Sequence, residues 1–310
     1  MRKVFLSAVA AAVVLAVQPA SAEGEKIAFS VPSLGFPFFV HMQKQFNDEA
    51  AAQGVEVINY DGQNQTTKQT ADVEAAIISG VDGIVISPSD SVAMAPAVRQ
   101  AVEAGISVVT IDRRVDGVDG LLGHVGADNV KGGEAQGNLI VEMFPDGATI
   151  VNLQGQPGSS PAIDRNQGVH NVLDGMSDKY PFVAEQTANF AREEGASVTE
   201  AILAGLDSPP DVIVAANDDM ALGAMQVVQE QGLDIAIIGF DALPEALAAI
   251  RDGTLTATIE QMPGGQSRGA LQAMIDHLRN GTQPDAVTLL TPIAITKDNI
   301  DQAERLGELN

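Results

Sequence analysis

Asp112 and Arg113 stand side by side where an apolar, β-branched run ends, Ile106-Ser107-Val108-Val109-Thr110-Ile111. A carboxylate that only accepts hydrogen bonds lies next to a guanidinium that only donates them. The same placement recurs twice: Asp211–Ala216 runs into Asn217-Asp218-Asp219, and Ile235–Phe240 runs into Asp241. Polar groups at the carboxyl ends of buried strands point to where open α/β sheets hold ligands. Hydroxyl groups both donate and accept, so Asp, Arg, Asn and Gln can satisfy them in pairs, and the charged members form the stronger bonds. The apolar C–H faces of a sugar ring suit aromatic partners, and the chain has only 10 Phe, 2 Tyr and no Trp. Phe36, Phe38 and Phe39, around Pro37, are therefore a concentrated investment. Together these residues predict a cleft that grips a small, hydroxyl-rich molecule.

The elements that must position them alternate. Lys26–Val31, Val55–Tyr60, Gly83–Ser87, Ile106–Ile111 and Leu121–Val125 read as strands, and Phe38–Gln53, Thr67–Ser79 and Val92–Ala104 as helices. Gly54, Gly80 and Gly105 follow those helices, where a left-handed closing residue is wanted. The pattern then repeats, with strands at Ala148–Leu153, Phe182–Thr187, Asp211–Ala216, Ile235–Phe240 and Ala257–Glu260. Such alternation predicts an α/β chain of two Rossmann-like lobes with parallel sheets and a ligand cleft between them.

Arg2 and Lys3, the apolar stretch Val4–Val17 and the small residues Ala20 and Ala22 make a secretory signal peptide, with cleavage expected before Glu23. With 0 Cys there is neither a disulfide nor a lipid-acceptor cysteine. Without Arg2 and Lys3, 15 basic residues face 41 acidic ones. A surface so acidic repels nucleic-acid phosphates and anionic lipid headgroups; plain solubility is its simplest meaning.

Short motifs, weak singly but strong in this order and spacing, carry a resemblance over essentially the whole mature chain. They are Pro37-Phe38-Phe39, Ser87-Pro88-Ser89-Asp90, Thr110-Ile111-Asp112-Arg113, Asp128-Asn129-Val130-Lys131-Gly132-Gly133, Leu153-Gln154-Gly155 with Asp164-Arg165, Asn217–Gly223, Gly239-Phe240-Asp241 and Thr258-Ile259-Glu260-Gln261. The chain resembles the ribose/galactose-type periplasmic binding proteins, the ligand receptors of ABC sugar importers. That resemblance implies the type I periplasmic binding protein fold and a ligand held by Asp112, Arg113, Arg165, Asn217, Asp241 and Gln261, enclosed by Phe38, Phe39 and Phe190. Phe36 and Ser87 stand where ribose binders carry amides, which points away from ribose and toward a pyranose or small polyol. It further implies crossings near Gly126, Gln261 and Leu290, hence a signal peptide (1–22), a first lobe of 23–126 plus 262–290 and a second of 127–261 plus 291–310. The expected partners are the monosaccharide or polyol and an ABC-transporter permease in the inner membrane. The protein is expected to be a periplasmic monomer with no cofactor, no metal and no nucleic-acid partner.

Several residues have plainer uses. One of Phe38 and Phe39 is expected in the core, with Phe38 the better ligand candidate. Asn217 is expected to touch ligand, leaving Asp218 or Asp219 to cap the helix that follows. Gly155-Gln156-Pro157-Gly158-Ser159-Ser160 looks like a phosphate-cradling loop but lacks the P-loop Lys, so a turn into a helix is expected. A glycosidase pairing of Asp112 with Asp241 would need one raised pKa, whereas neighbouring cationic and amide groups predict lowered ones. The motifs G-x-S-x-G, G-x-G-x-x-G and H-E-x-x-H are absent, and His41, His124, His170 and His277 are scattered. A sugar-responsive repressor shares this core but needs a DNA-reading helix-turn-helix where the signal peptide stands. A receptor reporting to a chemotaxis or sensor-kinase partner, and autoinducer-2 as ligand, remain alternatives.

Overall fold

The computed structural model describes residues 24–309; the expected leader, residues 1–22, lies outside them. The first half runs β1 (Lys26–Val31), α1 (Pro37–Ala52), β2 (Glu56–Asp61), α2 (Thr66–Ile78), β3 (Gly83–Ile86), α3 (Ala95–Glu103), β4 (Ser107–Ile111) and β5 (Gly123–Ala127). Next come α4 (Asn129–Met143), β6 (Ile150–Gln154), α5 (Ser160–Leu173), β7 (Phe182–Thr187), α6 (Arg192–Gly205) and β8 (Val212–Ala215). They are followed by α7 (Asp218–Glu230), β9 (Ala236–Ile238), α8 (Pro244–Asp252) and β10 (Thr258–Glu260). The chain closes with α9 (Pro263–Asn280), β11 (Val287–Leu290), β12 (Ile293–Ile295) and two short 3₁₀ turns, Ile300–Gln302 and Leu306–Glu308.

Two parallel sheets result. One has the order β11-β5-β4-β3-β1-β2 and the other β7-β6-β8-β9. β10 pairs antiparallel with β12 and touches the second sheet through an Ile238–Ala257 bridge. The apolar runs become strands because both faces of each sheet are covered. Along β1, Ile27, Phe29 and Val31 enter a core with Phe38, Met42 and Phe46 of α1, while Ala28 enters another with Val73 of α2 and Val98 of α3. The second sheet divides likewise: Val151, Leu153 and Ile213 face one way, and Ile150, Val212 and Val214 the other.

The expected elements appear with small shifts at their ends. The helix expected from Val92 begins at Ala95, after a turn in which Asp90 Oδ1 accepts from the backbone N–H groups of Val92 and Ala93. Gly54, Gly80 and Gly105 close their helices at φ 75°, 63° and 83°. One 3₁₀ turn, Asp174–Met176, follows directly on α5. Among the described residues no helix is long and apolar enough to cross a membrane.

Candidate functional site

The carboxyl ends of β4, β6, β8 and β9 converge on a small, tightly walled cavity. Its walls are Phe36, Phe38, Phe39, Asp112, Arg113, Pro161, Arg165, Phe190, Asn217, Asp241 and Gln261. The first sheet supplies Asp112 and Arg113 just past β4. Asp112 takes φ 60°, and the turn about it lets Arg113 N–H donate to Ile111 O at 2.6 Å. Phe190 and Asp241 also take positive φ, 61° and 114°. Non-glycine residues held there carry backbone strain, which clusters at ligand sites.

The four charged residues are almost wholly enclosed: Asp112 and Asp241 are 4% exposed, Arg113 and Arg165 3%. Arg165, from α5, donates from Nε to Asn129 Oδ1 at 2.8 Å and from Nη1 to Ala216 O at 2.6 Å and Asp241 Oδ1 at 3.4 Å. Its guanidinium lies 3.6 Å from the centroid of the Phe240 ring. Asp241 Oδ1 also accepts from Gln261 Nε2 at 2.6 Å. Arg113 is held more lightly. Its Nη1 donates to Ser89 O at 3.2 Å and Gln156 Oε1 at 3.4 Å, and its guanidinium lies between the Phe39 and Phe190 rings at 5.3 and 5.6 Å. Asp112 accepts one long bond from protein, from Ser87 Oγ at 3.3 Å. Two guanidinium groups and two carboxylates balance to no net charge when all are ionised, which suits a neutral guest.

A family profile described as periplasmic binding protein domain matches residues 27–283. The chain belongs to that family. Across 256 residues it is 42% identical to the ribose import binding protein of Bacillus subtilis, covering 81% of each chain. It is 30% identical over 270 residues to a xylitol-binding protein of Mycolicibacterium smegmatis, covering 86% of this chain and 76% of the relative. The solved structure of a Caulobacter myo-inositol binding protein, bound to myo-inositol, superposes with a TM-score of 0.89 at 41% identity, covering 95% of this chain and 100% of that one. The protein therefore has the type I periplasmic binding protein fold, and it is a binding protein, not an enzyme.

In this periplasmic binding protein, ten of the sequence-predicted site residues line one cavity. Ser87 is placed differently. It is wholly buried behind Asp112 and contacts the cavity only through that carboxylate. Phe38 and Phe39 do not divide into core and ligand roles: both line the cavity and both join the core, with their rings edge to face at 5.2 Å. Asn217 is itself the cap of α7, accepting from Met220 N–H at 3.0 Å, and its Nδ2 donates to Phe190 O at 3.2 Å. Asp218 holds other elements, accepting from Thr258 Oγ1 at 2.7 Å and Leu243 N–H at 2.8 Å. Asp219 instead pairs with Arg192 at 3.1 Å. Pro161, in the first turn of α5, is a wall residue that sequence reasoning missed. Asn129, which fixes Arg165, was visible only as part of a motif.

The expected pKa directions are reversed. Burial pushes Asp241 up to about 7, against the pull of Arg165. Burial likewise raises Asp112 although Arg113 and Arg165 pull it down, and it lowers Arg113 to about 10. Desolvation penalises each charged form, and in a sealed cleft it outweighs the neighbours of opposite sign. A raised carboxyl pKa is therefore no mark of catalysis here. It reflects how strongly burial in the cleft desolvates its acids.

Proposed function

We propose that this protein captures a small neutral polyol or monosaccharide in the cleft and delivers it to an ABC-transporter permease. The observation that carries this is the set of charges enclosed at the cavity. Asp112 accepts one long hydrogen bond beside a 3.9 Å ion pair with Arg113, and burial pushes Asp241 toward neutrality, so both gain from hydroxyl donors, while Arg113 can give to hydroxyl oxygens. The rings of Phe36, Phe38, Phe39 and Phe190 suit C–H faces. The ligand-contacting set is then Phe36, Phe38, Phe39, Asp112, Arg113, Arg165, Phe190, Asn217, Asp241 and Gln261, with Ser87 acting through Asp112.

A ligand touching both walls favours the closed arrangement and shifts the population toward it. The lobes that close are residues 23–126 plus 262–290 and 127–261 plus 291–310. The protein works as a monomer in the periplasm after cleavage behind Ala22; mass spectrometry of a periplasmic extract should find a chain beginning at Glu23.

Phe36 offers a ring where ribose binders place an amide, so the ligand turns an apolar face or fewer hydroxyls toward it. A six-membered ring fits this better than ribose, and the likeness to a myo-inositol binder at 41% identity supports a cyclitol in particular. The test is a thermal-shift screen of the mature protein with myo-inositol, xylitol, pentoses, hexoses and autoinducer-2 at millimolar concentration. We expect myo-inositol or a pyranose to give the largest shift. If ribose gives the largest, and Phe36→Asn does not improve ribose binding further, the reading of Phe36 is wrong.

A further inference from the structure

The segment Gly155–Ser160 has the glycines of an anion-cradling loop, yet it leads only into α5, and the site as described leaves its composition unexplained. The loop instead spans the cleft. Gln156 Nε2 donates to Asn64 Oδ1 at 3.0 Å, Gly158 O accepts from Ser91 N–H at 2.9 Å, and Ser160 Oγ accepts from Arg114 N–H at 3.0 Å. The loop follows β6 of the second sheet, while all three partners follow strands of the first. Gly158 lets it come this close. Its φ is 82°, and a Cβ there would lie 2.0 Å from Asp90 Oδ2.

Gln156 differs from the other two contacts because it also reaches the ligand cavity, its Oε1 accepting from Arg113 Nη1 at 3.4 Å. One amide thus joins the opposite lip, at Asn64, to a guanidinium that lines the cavity. We propose that Gln156 is a positioning residue for ligand retention: bridged to Asn64, it orients Arg113 and sets how long the closed cleft holds its ligand. The bridge forms only when the walls meet, so it acts on escape and not on encounter. This rests on the cavity being the ligand site, and the test separates the two claims.

Two readouts serve. The first needs no ligand. The chain has 0 Cys, so Asn64→Cys/Gln156→Cys can be joined cleanly by a short bismaleimide. We expect that cross-link to form, and to form faster than in Asn64→Cys/Gly175→Cys, whose second position lies beyond α5. Equal rates would mean that the lips do not meet at Gln156 and would overturn the proposal.

The second readout is stopped-flow release of myo-inositol. Gln156→Ala should speed release by about 3- to 10-fold, the effect of losing one neutral hydrogen bond and one long bond from Arg113, with the association rate unchanged within about twofold. Asn64→Ala should have an effect no larger, and the double variant should match Gln156→Ala alone, because both cut one bridge. The melting point without ligand should stay put. Unchanged release in Gln156→Ala, or effects that multiply in the double variant, would show that the residues do not act through one bridge. Fast cross-linking with no myo-inositol binding by the unmodified protein would instead count against the ligand assignment and leave the clasp standing.

Discussion

The two walls of the cleft are built on opposite principles. In the second wall every charged group is braced: Arg165 is bonded to Asn129, Ala216 O and Asp241 and stacked on Phe240, and Asp241 is tied to Gln261. Behind it Gln136 Nε2 donates to both Ala215 O and Gly239 O at 2.9 Å, joining the ends of β8 and β9. In the first wall Arg113 is held by two longer bonds and two rings, and Asp112 by one long bond from Ser87 and a 3.9 Å ion pair with Arg113. One wall is a finished structure, whereas the other leaves bonding capacity turned toward the cavity. Substitutions in the braced wall should therefore cost stability and affinity together, and substitutions in the open wall affinity alone.

The largest separation should come from Arg165→Ala. Removing one partner of a buried pair costs about 3–5 kcal/mol because the other is stranded. We expect ligand affinity to fall by at least about 100-fold and the ligand-free melting point to fall by about 6 °C or more. A melting point that did not move would erase the distinction between the walls. Asp112→Asn tests the opposite wall. It removes a carboxylate whose charge burial disfavours, so the ligand-free protein should melt at the same temperature or higher. Affinity should still drop by about 10- to 100-fold, the range for losing a charged hydrogen-bond partner. Marked destabilisation of ligand-free Asp112→Asn would mean that the open wall is braced after all.

Asp241 sharpens the comparison through pH. Its pKa rises from an ordinary 3.8 to about 7, so the folded, closed protein binds the proton more tightly than the unfolded chain does. This contribution to stability is fully present below about pH 4 and is lost as pH rises to about 7. Relative to Asp241→Asn, the unmodified ligand-free protein should lose stability across that window and run parallel above it. Urea denaturation at intervals between pH 4 and 8 would show this, and parallel curves throughout would contradict it. The smallest effect is expected from Ser87→Ala, which removes only the 3.3 Å bond to Asp112. Affinity should weaken by about 2- to 5-fold with no change of melting point; a hundredfold loss would place Ser87 against the ligand itself.

The sequence carried the sheets well, because runs such as Val108–Ile111 and Val212–Ala215 are buried on both faces and read as continuous apolar stretches. Strand-end reasoning placed Asp112, Arg113, Asn217 and Asp241 at the cavity, since polar residues at strand ends face the same edge of a parallel sheet, whereas Arg165, Phe190 and Gln261 came from the family resemblance. Depth was harder to read. Ser87 ends β3 as Asp112 ends β4, but nothing in the order of residues says that one lies behind the other. The pKa directions were misjudged because neighbours are visible in a sequence and desolvation is not. Asn217 has the same capping chemistry whether or not it meets ligand. Gln156 sits in a loop and Pro161 in the first turn of the helix that follows it, where no periodicity marks which side chain turns inward.

Phe36 occupies the N-cap of α1, and its side chain makes no capping bond. Asn or Ser at such a position ordinarily stabilises a helix by about 1 kcal/mol, so this helix forgoes that contribution to keep a ring at the cavity, edge-on to Phe39 at 6.4 Å. Under the proposed reading of Phe36, helix stability and ligand choice meet in a single codon. A lineage under pressure for heat resistance alone would tend to replace Phe36 with a capping amide and, in doing so, drift toward different cargo. A lineage that needs its present cargo must find its thermal tolerance elsewhere in the fold.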